Sequence, residues 1–196
     1  MELGCGINNL INTPLWGLIQ EKINNDNLEW IDALVSRNIG GKVRDKVHSE
    51  LRKSKIAWID DTYLRTQIFH SVNLYNNQQW NYDLDGSDSI QYGIYSDGGH
   101  YDWHIDKEPN GLNDEWGKTF IRKLSMTIWL NDPDEYEGGE FDIEVEGPRK
   151  DPRYDSIKLP KGSVIVFPSR IWHRVRPVTS GIRKSLVGWV LGPPFR

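Results

Sequence analysis

The sequence predicts an α+β fold that is mainly β: a double-sheet jelly roll or a barrel, with helices packed on one sheet as a support layer. Three observations carry this. About eight short, alternating segments separated by turn residues fill the stretch after Ser89. Helical periodicity is confined to the residues before it. Nine tryptophans and eight tyrosines suit a β-rich interior or a groove lined by flat rings. The chain of 196 residues reads as one domain, with 1–88 as the helical support region and 89–196 as the jelly-roll core.

In chain order, residues 1–13 are small and polar. Thr13-Pro14 can cap a helix over 14–24, although Trp16-Gly17-Leu18-Ile19 would also serve as a strand. Asp26 and Glu29 have capping-box spacing, and Leu28, Ile31, Leu34 and Val35 then fall on one helical face, ended by Asn38-Ile39-Gly40-Gly41. Residues 42–60 are basic and then apolar. The basic run (Lys42, Arg44, Lys46, Arg52, Lys53, Lys55) reads as a solvated face. Asp61 or Thr62 starts a second helix whose buried stripe is Leu64, Ile68, Val72 and Tyr75.

The predicted strands cover 90–95, 101–106, 121–130, 140–146, 155–159, 163–167, 171–176 and 184–191. In the third of these, Leu124, Met126, Ile128 and Leu130 alternate with Ser125, Thr127 and Trp129. Gly98-Gly99, Asn131-Asp132-Pro133, Gly138-Gly139, Pro160-Lys161-Gly162 and Thr179-Ser180-Gly181 punctuate the series. The polar segments 107–120 and 147–155 are long for hairpin loops and suit substrate contacts.

Composition narrows the function. Lysine and arginine number 24 against 28 acidic residues, a net charge of −4, which lacks the basic footprint of a nucleic-acid binder. One cysteine, Cys5, leaves no intrachain disulfide and suits a reducing compartment. Neither a signal-like N-terminus nor an apolar run near membrane length is present, so the expectation is a soluble, cytoplasmic protein.

The chemistry centres on His104-Ile105-Asp106. On a strand, alternate side chains share a face, so an imidazole and a carboxylate would converge. His173 is the best candidate for a third ligand. Two histidines and a carboxylate on one face of a metal leave open positions opposite, as in non-haem Fe(II) oxygenases. Arg183 and Ser185 alternate on a later strand. The arginine fork matches a carboxylate, so a cosubstrate with a carboxylate at one end and a keto acid at the other would bridge Arg183 and the metal. Tyr95 could add a phenol to the pocket. His100, next to the Gly98-Gly99 turn, is expected outside the ligand set. Trp103 and Trp172 flank two ligands and could line the mouth.

Tyr95-Ser96-Asp97-Gly98-Gly99-His100-Tyr101-Asp102-Trp103-His104-Ile105-Asp106, then Gly138-Gly139-Glu140, then His173 through Arg183, resemble the Fe(II)/2-oxoglutarate-dependent dioxygenases. The nearest branch is prolyl 4-hydroxylase-like, with the small bacterial and phage PKHD-type hydroxylases. The likeness covers about residues 45 to 196. It implies a double-stranded β-helix. His104, Asp106 and His173 would bind Fe(II), Arg183 would pair with the far carboxylate of 2-oxoglutarate, and Tyr95 would hydrogen-bond that cosubstrate. Ser185 matches an Arg-x-Ser pattern of other branches. The implied reaction hydroxylates a peptidyl residue such as proline, or a small molecule, using O₂ and releasing succinate and CO₂, with ascorbate as an accessory. Asp106 favours hydroxylation, because halogenating relatives lack this carboxylate. The competing expectations are a non-catalytic metal-binding jelly roll and a zinc hydrolase. Nucleic-acid demethylation fits poorly with the acidic composition.

Overall fold

The computed structural model describes residues 6–24, 27–39, 42–46, 49–106, 112–113, 117–144 and 153–195. Helix α1 (Pro14–Ile23) starts where the Thr13 side chain accepts a hydrogen bond from the Trp16 amide, with proline in its first turn. Its buried residues are Leu15, Trp16 and Ile19. Helix α2 (Thr62–Gln79) is capped by Asp61, which accepts from the Leu64 amide at 2.8 Å. Leu64, Ile68 and Val72 form its buried stripe, as the four-residue spacing requires.

The principal strands are β1 (Lys55–Ile59), β2 (Ile90–Ser96), β3 (His100–His104), β4 (Thr119–Trp129), β5 (Phe141–Glu144), β6 (Tyr154–Ile157), β7 (Ser163–Pro168), β8 (His173–Val175) and β9 (Val178–Gly192). The larger sheet runs Gly6–Asn9, β7, β4, β9, β2, β1 and Ile31–Asp32; the smaller runs β6, β5, β8, β3 and Arg52–Lys53. All of these pairings are antiparallel.

Alternation along the central strands sorts residues into two layers. Leu124, Met126, Ile128, Leu186, Val190 and Ile90 meet the helices in one core. Trp129, Tyr95, Ile165, Phe167, Phe141 and Val175 form a second core between the sheets. The polar members of the inward face, Ser125, Thr127, Arg183 and Ser185, are buried there too, and they build the site.

The structure corrects several sequence expectations. No helix covers 28–36. Ile31–Asp32 pairs with Ile56 and Lys55, and Val35–Ile39 forms a hairpin with Lys42–Lys46. The four apolar residues do not form one buried face, since Ile31 and Leu34 are nearly half exposed. β-Branched residues at 31, 35 and 39 suit extended pairing better than a helix. Asp26 and Gly40-Gly41 lie outside the described residues. Residues 1–88 therefore add strands to both sheets as well as helices. The predicted strand 101–106 ends at His104, leaving Asp106 two residues beyond the ladder. Predicted 184–191 lengthens to Val178–Gly192.

Candidate active site

His104 closes β3 and His173 opens β8, and the two are register partners across that ladder. Asp106 is held by its amide, which donates to the Ser169 carbonyl at 2.9 Å. Its Oδ1 lies 3.7 Å from His104 Nε2 and its Oδ2 lies 3.5 Å from His173 Nε2. One ligand atom from each of the three residues falls within 4.8 Å of the other two. His100 stands apart, its ring nitrogens near the Gly98 and Glu50 carbonyls.

The imidazoles are held in a single tautomer. His104 Nδ1 lies 2.8 Å from the Asp102 carbonyl and His173 Nδ1 lies 2.9 Å from the Ile171 carbonyl. A carbonyl only accepts, so each Nδ1 carries the proton and each Nε2 presents its lone pair toward Asp106. Burial pushes the His104 imidazole down, the adjacent His173 adds to this, and the value falls to about 3. Burial pushes the Asp106 carboxyl up, but His173, His104 and a hydrogen bond from Ser125 outweigh it and hold it at about 2. Near neutral pH the cluster therefore offers a neutral His104 and an ionised carboxylate, the protonation states that a divalent cation requires.

These values set an acid limit on stability without metal. His104 has a folded value below its ordinary 6.5, so the unfolded chain takes up its proton first as pH falls. Asp106, depressed below 3.8, adds to the loss at lower pH. The metal-free melting temperature is expected to drop steadily between about pH 6.5 and pH 4, and His104→Gln should flatten that slope in a thermal melt at stepped pH.

Sequence reasoning missed Ser125 and Ser169. Ser125 Oγ donates to Asp106 Oδ2 at 2.7 Å, and the two hydroxyl oxygens lie 2.9 Å apart. Alternation on β4 placed Ser125 on the inward face, but nothing local pointed to its partner. Groups that orient ligands typically cost 10- to 100-fold in metal affinity when lost. Ser125→Ala should weaken metal binding by about tenfold, measured by competition with a chelator, with the fold intact.

Across the cavity, Arg183 on β9 pairs in register with Tyr95 on β2. Its side chain is 1% exposed. Nη1 donates to Ser185 Oγ at 3.0 Å, while among the described residues Nε and Nη2 meet no acceptor in good hydrogen-bond geometry, the Tyr136 hydroxyl being a neighbour that favours the charged form. The rings of Tyr95 and Trp129 flank the guanidinium at 5.4 and 5.8 Å. The buried Tyr136 hydroxyl lies beside the Trp129 indole N–H and the Arg183 guanidinium. Burial alone pushes the Arg183 guanidinium below its usual value. A buried cation with unused donors is costly unless an anion meets it. The turn at Gly138-Gly139 makes room for this side chain. Both residues have positive φ, and a Cβ on Gly139 would lie 3.1 Å from Arg183 Cδ.

Metal cluster and guanidinium share one cavity of about 820 Å³, which Trp103, Trp172 and Trp189 also line. Trp172 is 46% exposed and sits at the mouth, as expected of it. The Trp189 indole N–H lies near the Asp106 carboxylate and helps hold it ionised. The donor set fits Fe(II): two imidazoles and one carboxylate from one side. The buried Arg183, with no carboxylate paired to it among the described residues, fits the distal carboxylate of a 2-oxo diacid.

A family model described as the 2OG-Fe(II) oxygenase superfamily matches residues 90–191. A PKHD-type hydroxylase of Prochlorococcus marinus is 33% identical over 174 residues, which is 87% of this chain and 70% of that protein. One of Hyphomonas neptunium is 42% identical over 94 residues, 48% of this chain but 38% of that protein. With that second relative, the chain thus spans well under half of the partner's length. Among solved structures, a Pseudomonas putida prolyl-4-hydroxylase aligns with a TM-score of 0.67 at 20% identity, covering 98% of this chain and 94% of that one. A viral collagen prolyl hydroxylase of Paramecium Bursaria Chlorella virus-1, in a 2OG complex, aligns at 0.63 and 18% identity, covering 96% of each. At these identities the structural likeness speaks for the fold alone, and that fold is the jelly-roll-like one expected from the strand pattern.

Proposed function

Since the chain belongs to the 2OG-Fe(II) oxygenase superfamily, we propose that it hydroxylates a peptidyl residue, proline first among the candidates, or a small molecule. His104, Asp106 and His173 hold Fe(II), and Arg183 holds 2-oxoglutarate. The single observation that carries this reading is the buried Arg183 guanidinium, with no carboxylate paired to it among the described residues, facing the same cavity as a two-histidine, one-carboxylate cluster. A zinc hydrolase would leave that cation without a use.

With Fe(II) and 2-oxoglutarate bound, O₂ would be the oxidant and 2-oxoglutarate the source of two electrons: one oxygen atom would enter succinate as CO₂ leaves, and the other would enter the substrate C–H bond as hydroxyl. The protein's contribution is placement. The carbonyls of Asp102 and Ile171 keep each Nε2 free of a proton. Ser125 keeps the Asp106 carboxylate turned toward the histidines. Arg183 and Ser185 would hold the far carboxylate of the cosubstrate, with Tyr95 beside it. The tryptophans at the mouth exclude water once substrate covers the opening. Ascorbate enters only as an external reductant.

Among the described residues no helix is long and apolar enough to cross a membrane. The lone Cys5 supports placing the activity in a reducing, cytoplasmic compartment.

The test is anaerobic. Protein with Fe(II) is titrated with 2-oxoglutarate while the weak visible charge-transfer band is followed. A saturable band supports the reading. No band, with tight Zn²⁺ binding and hydrolytic activity instead, would overturn it.

A further inference from the structure

Arg52 belongs to the basic run that reads as a solvated face, yet its side chain is buried, 8% exposed, and lines the cavity. It comes from the short strand Arg52–Lys53, which pairs with Tyr101 and His100 of β3. The guanidinium sits 4.5 Å from the Tyr101 ring centroid, and that ring stacks on His104 at 3.5 Å and 14°. Arg52 is thus one ring away from a metal ligand, on a different wall from Arg183.

Its partners are neutral. Nε donates to Ser54 Oγ at 3.1 Å, and Nη2 donates to Gln91 Oε1 at 2.5 Å. Among the described residues no carboxylate pairs with it. Asp102, which also lines the cavity, accepts from the Trp103 amide instead, and Asp106 is engaged by Ser125 and the histidines. Burial pushes the Tyr101 phenol up to about 12, so Tyr101 stays neutral and cannot serve as counterion. The contrast with Arg122 is direct: that residue lines the same cavity and is neutralised by Asp88 at 2.8 Å.

Gln91 completes the arrangement. Its oxygen faces Arg52, so its NH₂ group is left to donate elsewhere, and Gln91 also lines the cavity. Arg52 Nη1 makes no hydrogen bond to a described residue. Guanidinium and amide N–H groups side by side match the two oxygens of a carboxylate. A buried arginine served only by neutral groups costs stability until an anion arrives.

Resting on the oxygenase reading above, we propose that Arg52 and Gln91 form a second anion site, which anchors a carboxylate of the primary substrate beside the metal. Arg183, which shares the larger sheet with Gln91, takes the cosubstrate's carboxylate. The substrate is therefore an acid, either a free small carboxylic acid such as an amino acid or a peptide carrying aspartate or glutamate near the modified residue.

The experiment uses the full chain loaded with Mn(II) and saturating 2-oxoglutarate. The probes are the free L-amino acids, their carboxamides, and end-blocked tripeptides with a central aspartate, glutamate, asparagine or glutamine. Binding is read by calorimetry and by Mn(II)-induced relaxation of probe protons. At least one acid should bind tenfold or more tightly than its amide counterpart and relax near the metal. Preference among free acids points to a small molecule, and preference among tripeptides to an acidic peptide. Arg52→Gln should abolish the preference, Arg52→Lys should restore part of it, and Gln91→Leu should weaken it several-fold. Affinity for 2-oxoglutarate should not change in any of these variants. The proposal is overturned if no acid outbinds its amide, if the preference survives Arg52→Gln, or if Arg52→Gln weakens 2-oxoglutarate binding instead. Should Arg52→Gln not fold, Arg52→Lys and Gln91→Leu decide by the same criteria. Wild-type protein that takes up neither metal nor 2-oxoglutarate would sink the oxygenase reading itself. Wild-type protein that binds both but shows no acid preference sinks only the Arg52 site.

Discussion

Asp106→Ala is expected to eliminate 2-oxoglutarate turnover and to weaken metal affinity by at least about 100-fold, the upper end of what loss of a supporting residue costs. The carboxylate is the only anion in the metal cluster. It lies within 3.7 Å of both Nε2 atoms. Without it, two imidazoles face one another with no anion between them. The measurement is metal content after dialysis, alongside succinate release. Asp106→Asn separates charge from shape: it preserves the Ser125 contact as an acceptor but removes the negative charge, and should lose most of the metal affinity too. Retention of tight metal by Asp106→Ala, with unchanged turnover, would remove Asp106 from the ligand set.

Arg183→Met should weaken cosubstrate binding while leaving the cosubstrate-free protein at least as stable. The KM for 2-oxoglutarate should rise by about 30- to 4000-fold, since truncating one member of a buried, hydrogen-bonded charge pair costs about 2–5 kcal/mol or more. The melting temperature of the cosubstrate-free protein should rise or hold. In that state the guanidinium is a buried charge with no carboxylate paired to it among the described residues. An apolar side chain of similar length relieves that desolvation cost. A merely structural arginine would do the reverse, lowering the melting temperature and leaving KM alone. Kinetics with varied 2-oxoglutarate and a melt with and without it decide between the two.

The legibility of this chain followed the range of its interactions. The 124–130 stretch could be read because its two faces differ chemically: Leu124, Met126 and Ile128 face the helices, while Ser125, Thr127 and Trp129 face the site. His104, Asp106, His173 and Arg183 could be listed because a metal and a diacid demand those residue types. The structure brings the first three into one cluster and sets Arg183 across the same cavity. Tyr95 and Ser185 border that arginine.

What stayed hidden depended on partners far along the chain. Arg52 looked like one charge in a basic run, because its burial is set by Gln91 and Tyr101, which reach it through sheet pairing. Ser125 looked like filler until Asp106 met it. Residues 28–36 failed for a different reason. Four apolar residues in a short window satisfy a helical period, yet unpaired edge backbone at Lys55 and Ile56 recruits Ile31–Asp32 as a strand. Trp30 then packs edge-on against Tyr92 at 4.9 Å.

The short ladder between β3 and β8 has a consequence for the lifetime of the protein. Its pairing is interrupted by a register shift between His173 and Val175, and its end is marked by the His104–His173 pair. A seam so brief has little of its own to keep it shut. An ion gripped by both histidines acts as a clasp across it, tying together segments far apart in the chain much as a covalent cross-link would. Iron supply then governs more than catalytic rate. Metal-free protein is therefore expected to exchange its amides and be cut by proteases faster at this seam than metal-loaded protein, which hydrogen exchange and limited proteolysis would read.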